Sequence, residues 1–139
     1  LDWRQIAARL QESKFERREL AALYLDQSFL AGNGNYLRSE IAHHAGLHPK
    51  QKPCELTRAQ LGKLARSTLH ISRRSYATGG ITIPSRLSST LEKRGVARGG
   101  RRFFVFGRDD LPCYTCGTSI KYSEANSRRL YHCPQCQPF

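Results

Sequence analysis

Apolar residues recur at helical spacing in four stretches of the first 78 residues. Trp3, Ile6, Ala7 and Leu10 share one face of a helix predicted over 2–12, with Asp2 as its N-cap. Leu20, Leu23, Tyr24 and Leu25 point inward from a second helix predicted over 17–29. Tyr36, Leu37, Ile41 and Ala45 mark a third, running from about Asn35, a reasonable N-cap, to Ala45, where Gly46 stops it. Pro49 and Pro53 bound an irregular basic connection. Thr57 then opens a fourth helix, and Gln60 completes a Thr-x-x-Gln capping box. Leu61, Leu64, Ala65 and Thr68 form its buried face, which fades near Ser72.

The pattern changes after residue 78. Gly79, Gly80, Pro84, Gly95, Gly99 and Gly100 punctuate a segment rich in Arg and Ser, expected to be a long loop or a partly helical insert. Ser88 to Arg94 has room for about two helical turns of 3.6 residues each. Arg102-Phe-Phe-Val-Phe106 is aromatic and β-branched and reads as a strand. Residues 118–122 and 129–133 alternate as a hairpin would. The expected organisation is a mainly α helical domain over 1–78, an insert over 79–102, and a small β-hairpin unit over 103–139.

Charge adds a partner class. Lys and Arg total 23 against 11 Asp and Glu, a formal net charge of +12 in 139 residues. The excess is clustered: from Arg73 to Arg108 the basic residues are Arg73, Arg74, Arg86, Lys93, Arg94, Arg98, Arg101, Arg102 and Arg108, with Glu92 the lone acid. Such clustering favours a polyanion, nucleic acid or an acidic membrane surface. The longest apolar run of note, Leu20 to Leu25, is far short of the roughly 20 residues a membrane span requires. The chain begins at Leu1, already inside a helical pattern and without an apolar leader, so it reads as a piece of a longer polypeptide.

The hairpin unit carries the candidate chemistry. Cys113-Tyr-Thr-Cys116 and Cys133-Pro-Gln-Cys136 are separated by 16 residues. Each Cys-x-x-Cys turn aims two sulfurs at one point, and four thiolates suit one tetrahedral Zn2+. Two disulfides or a redox pair are the alternative; matched pairs on either side of a hairpin favour the metal. Four protein sulfurs leave no position for a water, so such a zinc is structural. Zinc thiolates need reduced cysteine, which places the expected location in the cytoplasm or nucleoid. Cys54 is left as a free thiol. Arg128, in the Asn126-Ser-Arg128-Arg129 tip, is suited to phosphate or base edges. The adjacent His43 and His44 cannot face one metal, His48, His70 and His132 stand isolated, and Asp109-Asp110 reads as a turn.

A second signal lies in Leu25-Asp-Gln-Ser-Phe-Leu-Ala-Gly-Asn-Gly-Asn-Tyr-Leu-Arg-Ser-Glu40. A helix ends, a Gly-x-Gly turn follows, and a helix starts at Asn35, presenting free N–H groups to an anion. This stretch resembles the helix–two-turn–helix signature of the formamidopyrimidine-DNA glycosylase and endonuclease VIII family. Arg128 through Gln137 resembles the same family's Arg-x-x-x-x-Cys-Pro-x-Cys-Gln zinc finger. Ser75-Tyr-Ala-Thr78 and Val105-Phe-Gly-Arg108 lean towards the endonuclease VIII branch. The resemblance covers nearly the whole chain except about 80–100.

The resemblance implies base-excision repair of oxidised bases, with the damaged nucleotide flipped out of the duplex and cleavage by β,δ-elimination at the abasic site. It implies that Asn35 holds a phosphate beside the lesion, that Gly32 and Gly34 shape the turn, and that Arg128 binds phosphate and serves the elimination. The family's nucleophile, an N-terminal proline followed by glutamate, is absent from this chain, as is the lysine-bearing β-sandwich. The expected partner is double-stranded DNA carrying a damaged base or abasic site, bound by a monomer. A stand-alone zinc module that binds DNA or RNA without chemistry is the alternative.

Overall fold

The computed structural model describes residues 1–31 and 34–139. Helix α1 covers Trp3–Leu10, α2 Leu20–Leu23, α3 Asn35–Ala45, α4 Arg58–Thr78 and α5 Ser85–Lys93. Strands β1 (Lys121–Ala125) and β2 (Arg128–His132) pair antiparallel, Tyr122 opposite Tyr131 and Ala125 opposite Arg128. The mainly α architecture with a terminal hairpin is as the sequence predicts.

Two of the three predicted N-caps, Asp2 and Thr57, form reciprocal capping boxes. Asp2 Oδ1 accepts from Gln5 N at 3.0 Å while Asp2 N donates to Gln5 Oε1 at 2.7 Å. Thr57 and Gln60 repeat the arrangement at 3.1 and 2.8 Å. Gly46 ends α3 in the left-handed conformation at φ 71°, where a side chain would be strained.

Helices α1, α3 and α4 pack around one core. Ile6, Leu10, Leu23, Phe29, Ile41, Leu64 and Ile71 are each at most 1% exposed. Each such side chain contributes on the order of 1.5–3 kcal/mol relative to leaving it in water. Phe29 meets Phe15 edge-on, ring centroids 5.2 Å apart, and Tyr24 at the same distance. The Tyr24 hydroxyl is fully buried and lies 2.8 Å from Thr68 Oγ1, which itself donates to Leu64 O, so Tyr24 donates. A second, smaller cluster of Val105, Cys113, Ile120, Tyr131 and Cys133 sits inside the hairpin unit.

Several expectations are corrected. The second helix shrinks from 17–29 to one turn at Leu20–Leu23, flanked by turns on both sides. At its start Leu20 N and Ala21 N donate to Gln51 O and Pro49 O instead of to an earlier turn, and beyond its end Asp26 accepts from Ser28 N at 2.8 Å in a side-chain turn. Helix α4 does not fade at Ser72 but continues to Thr78. It continues because Ile71 and Ser75 are buried and Tyr36 OH reaches Ser75 Oγ at 2.7 Å. The cap of α3 is Gly34, and Asn35 is its first helical residue. Residues 102–106 form no strand, because the amides of Phe104, Val105 and Phe106 are taken by the Glu40 side chain. The hairpin strands lie three residues later on the first side and one earlier on the second. Asn126 and Ser127, at φ 60° and 61°, make the turn, so Arg128 opens β2 instead of crowning the tip. Within the insert, α5 is a nine-residue helix starting at Ser85, with Leu91 buried. The histidines are not isolated: His48 and His132 rings are 4.9 Å apart, and His44 and His70 5.1 Å. Gly32 lies outside the described residues.

Candidate nucleic-acid interface and metal centre

Helix α3 touches the hairpin unit along its whole length. At its N-terminus, Gly34 offers no side-chain cap; Leu37 N donates to Gly34 O at 3.1 Å, and among the described residues no side chain caps the N–H groups ahead of it. Asn35 Nδ2 donates to Arg129 O at 3.2 Å. One turn on, the guanidinium of Arg38, 2% exposed, grips the hairpin turn. Arg38 Nη1 donates to Ala21 O at 2.9 Å and Asn126 Oδ1 at 3.0 Å. Arg38 Nη2 reaches Ala125 O at 2.8 Å, Arg128 O at 3.2 Å and Arg129 O at 3.3 Å. Burial, then the neighbouring Arg128 charge, lowers the pKa of Arg38. Next to it, Ser39 Oγ accepts from Tyr131 N at 3.1 Å.

Glu40, fully buried, organises the segment that leads into the first cysteine pair. Its Oε1 accepts from Phe104 N at 2.6 Å, and its Oε2 from Val105 N and Phe106 N at 2.9 and 3.0 Å. The Thr82 hydroxyl completes the set. Burial pushes the carboxyl's pKa up, against the lowering by Thr82 and the three amides. A carboxylate therefore replaces the strand partner that an aromatic β-branched run would otherwise need, which is why 102–106 is not a strand.

The expected site residues are thus drawn together in part. Asn35 and Arg128 meet at one corner, where α3 begins and β2 opens, joined through Arg38 and the Arg129 carbonyl. Arg128 is exposed there, and Asn35 is half-buried. Arg38 and Glu40 were not among the candidates read from the sequence. The available signal was their place in the α3 pattern: Arg38 and Glu40 flank Leu37 and Ile41 on the buried side, where unpaired charge is costly and so needs built partners.

The four cysteine sulfurs Cys113, Cys116, Cys133 and Cys136 all lie within 4.8 Å of one another. Two edges are 3.4 Å (Cys116 to Cys133) and 3.9 Å (Cys113 to Cys136). A tetrahedron of sulfurs about 2.3 Å from a central ion has edges of roughly 3.8 Å, so the donor set fits one metal ion. Local amides set the geometry: Gly117 N donates to Cys113 O at 2.9 Å, with Gly117 at φ 79°. Buried Gln137 accepts from Cys133 N at 2.8 Å and donates to Leu47 O at 2.9 Å, pinning the second pair to the helical domain. The sulfurs are electrostatically uneven. Thr118, through its hydroxyl and amide, draws Cys116 down to about 6, whereas burial and neighbouring sulfurs push Cys136 up. A divalent cation would remove that conflict by holding all four as thiolates. Cys54 is an exposed free thiol away from the cluster.

Comparison with known proteins supports the resemblance to the formamidopyrimidine-DNA glycosylase and endonuclease VIII family. The sequence is 43% identical over 133 residues to endonuclease 8 of Klebsiella pneumoniae subsp. pneumoniae and 42% identical over 132 residues to that of Escherichia coli K12. These matches cover 96% and 95% of this chain and 47% of each relative, so the chain spans about half the length of the curated relatives it matches. A scan against protein-family models gives no match. The fold is that of about half of Lactococcus lactis Fpg: a complex of its G226P mutant with a Fapy-dG containing DNA superposes with TM-score 0.77, 22% identity, over 99% of this chain and 48% of that one. A complex of the same protein with an abasic site containing DNA gives TM-score 0.73 at 22% identity, with the same coverage. No helix among the described residues is long and apolar enough to cross a membrane.

Proposed function

We propose that this chain is the DNA-gripping half of a base-excision-repair DNA glycosylase/AP lyase that acts on oxidised bases. The observation that carries the reading is the corner where the α3 N-terminus, Asn35 and Arg128 are held on one side of the molecule by Arg38. There a phosphate meets first-turn N–H groups, the Asn35 amide and the Arg128 guanidinium. The Asn35 amide nitrogen carries two hydrogens, and its bond to Arg129 O uses only one of them. Gly32 and Gly34 would shape the turn, although Gly32 lies outside the described residues.

In this reading residues 1–78 and the finger of 103–139 grip one duplex, with 79–102 inserted between them. Zn2+ would be held by Cys113, Cys116, Cys133 and Cys136 and would supply structure, leaving no open position for a reacting water. The nucleophile lies outside these residues, and Arg128 assists the elimination by orienting the phosphate. The partner is duplex DNA bearing a damaged base or abasic site, bound by a monomer in the cytoplasm or nucleoid. If about six phosphates are neutralised, log K falls against log salt with a slope of roughly −5.

Borohydride trapping on abasic DNA tests the assignment. The 139-residue chain should bind that DNA and leave no covalent adduct, whereas the full gene product should be trapped. A full product that binds but never traps would favour a zinc module without chemistry. An adduct on the 139-residue chain alone would place the nucleophile inside it and refute the division of labour.

A further inference from the structure

His43 stands near the C-terminal end of α3, against the cysteine cluster, and is 7% exposed. Its Nε2 lies 3.5 Å from Cys113 Sγ, and its ring stacks on Phe104 with centroids 5.4 Å apart at 28°. Nδ1 is buried and has no partner among the described residues. Which nitrogen carries the proton of the neutral ring then follows from chemistry. With the proton on Nδ1, a buried donor would be orphaned and the Nε2 lone pair would face the sulfur's lone pairs. With the proton on Nε2, the donor meets sulfur, and only an acceptor is left without a partner, which is the more tolerable defect.

We propose that His43 is an outer-sphere partner of the metal site, donating Nε2–H to the Cys113 thiolate. The proposal rests on the reading of the four cysteines as a metal site. Four thiolates on a dication carry an excess of negative charge, and a hydrogen bond from a buried donor draws part of it off Cys113 and fixes the direction of its sulfur. The donor comes from the helical domain, not from the finger. Metal retention is therefore tied to the helix that bears Asn35 towards its other end, on the order of 12 Å from His43 for eight residues at 1.5 Å each. His43 is a positioning residue: it touches the ligand, not the substrate.

The test begins with zinc stoichiometry, expected at one per chain. Zinc transfer to an excess of chelator is then timed for the wild type, His43→Phe and His43→Gln. Phe keeps a flat ring against Phe104 but has no donor, so release should quicken by roughly 10–100-fold. Gln restores an N–H and should return release close to the wild-type rate. In cadmium-loaded wild-type protein, the His43 Nε2-bound hydrogen should be scalar-coupled to cadmium through the sulfur. That coupling is read on the unmutated chain, so it decides the matter even if the Phe variant fails to fold. No coupling in wild type, or equal release from a folded His43→Phe, would overturn the role of His43 while leaving the metal site intact. A folded wild type that takes up no zinc would overturn both.

Discussion

Arg38→Met isolates the step that joins the two halves of the proposed DNA grip. Three of the Arg38 contacts are at 3.0 Å or less, to Ala21 O, Asn126 Oδ1 and Ala125 O. Methionine fills similar volume but leaves the buried Ala21 O and the half-buried Ala125 O without this donor, at a cost of about 1–3 kcal/mol each, while the exposed Asn126 side chain can turn to water. Against this, removing a buried guanidinium recovers part of its desolvation cost, on the order of a few kcal/mol. The balance is a loss of about 1–3 kcal/mol in docking the Asn126–Ser127 turn against α3. Apparent affinity falls with the fraction of molecules whose turn stays docked, so binding should weaken by about 10–100-fold. Fluorescence anisotropy on a duplex with an abasic-site analogue, at one fixed salt concentration, measures it. Combined with Arg128→Ala, the two losses should be markedly less than additive, because Arg38 acts through the backbone that carries Arg128. Wild-type affinity in a folded Arg38→Met chain, or losses that simply add, would refute the reasoning.

Three further outcomes are expected. Cys133→Ser, or zinc removal by a chelator, should collapse residues 103–139 while α1, α3 and α4 keep their own core; amide-resolved NMR would show loss of dispersion confined to the finger. Arg128→Ala should leave the melting temperature unchanged, since the side chain is exposed, yet flatten the slope of log K against log salt by about 1. Burial, then His70, Lys63 and Arg74, lowers the His44 pKa from its ordinary 6.5. The unfolded chain therefore takes up this proton first as pH falls, and His44 adds stability above about pH 6.5 that is lost as pH falls through its lower folded value. His44→Gln should flatten urea-unfolding stability between pH 7 and 5 relative to wild type, and an unchanged pH profile would refute that contribution.

Much of the architecture was legible because it rests on short-range rules. Asp2 with Gln5, Thr57 with Gln60, and Gly46 are local signals, and each caps the helix it was expected to cap. The second helix was not legible, since Leu20 N and Ala21 N bond to residues near 50. Arg102-Phe-Phe-Val-Phe106 has strand composition, yet a glutamate more than 60 residues earlier takes its amides. Composition cannot reveal a partner at that separation.

The candidate site divides in the same way. The cysteine spacing alone determined a four-sulfur cluster, because each Cys-x-x-Cys turn sets its two sulfurs locally and the hairpin register does the rest. The glycine turn likewise fixed where a helix must begin. Only the tertiary structure decided that the finger, about a hundred residues further on, lies along α3, with its cysteine cluster by His43 and Arg128 brought to the Asn35 end. It does so through α3, whose Arg38, Ser39, Glu40 and His43 each reach the finger. Buried polar groups must find partners wherever the fold offers them. Those partners are set by packing, not by neighbours in the chain, so the residues that assemble the grip were the ones the sequence left unmarked.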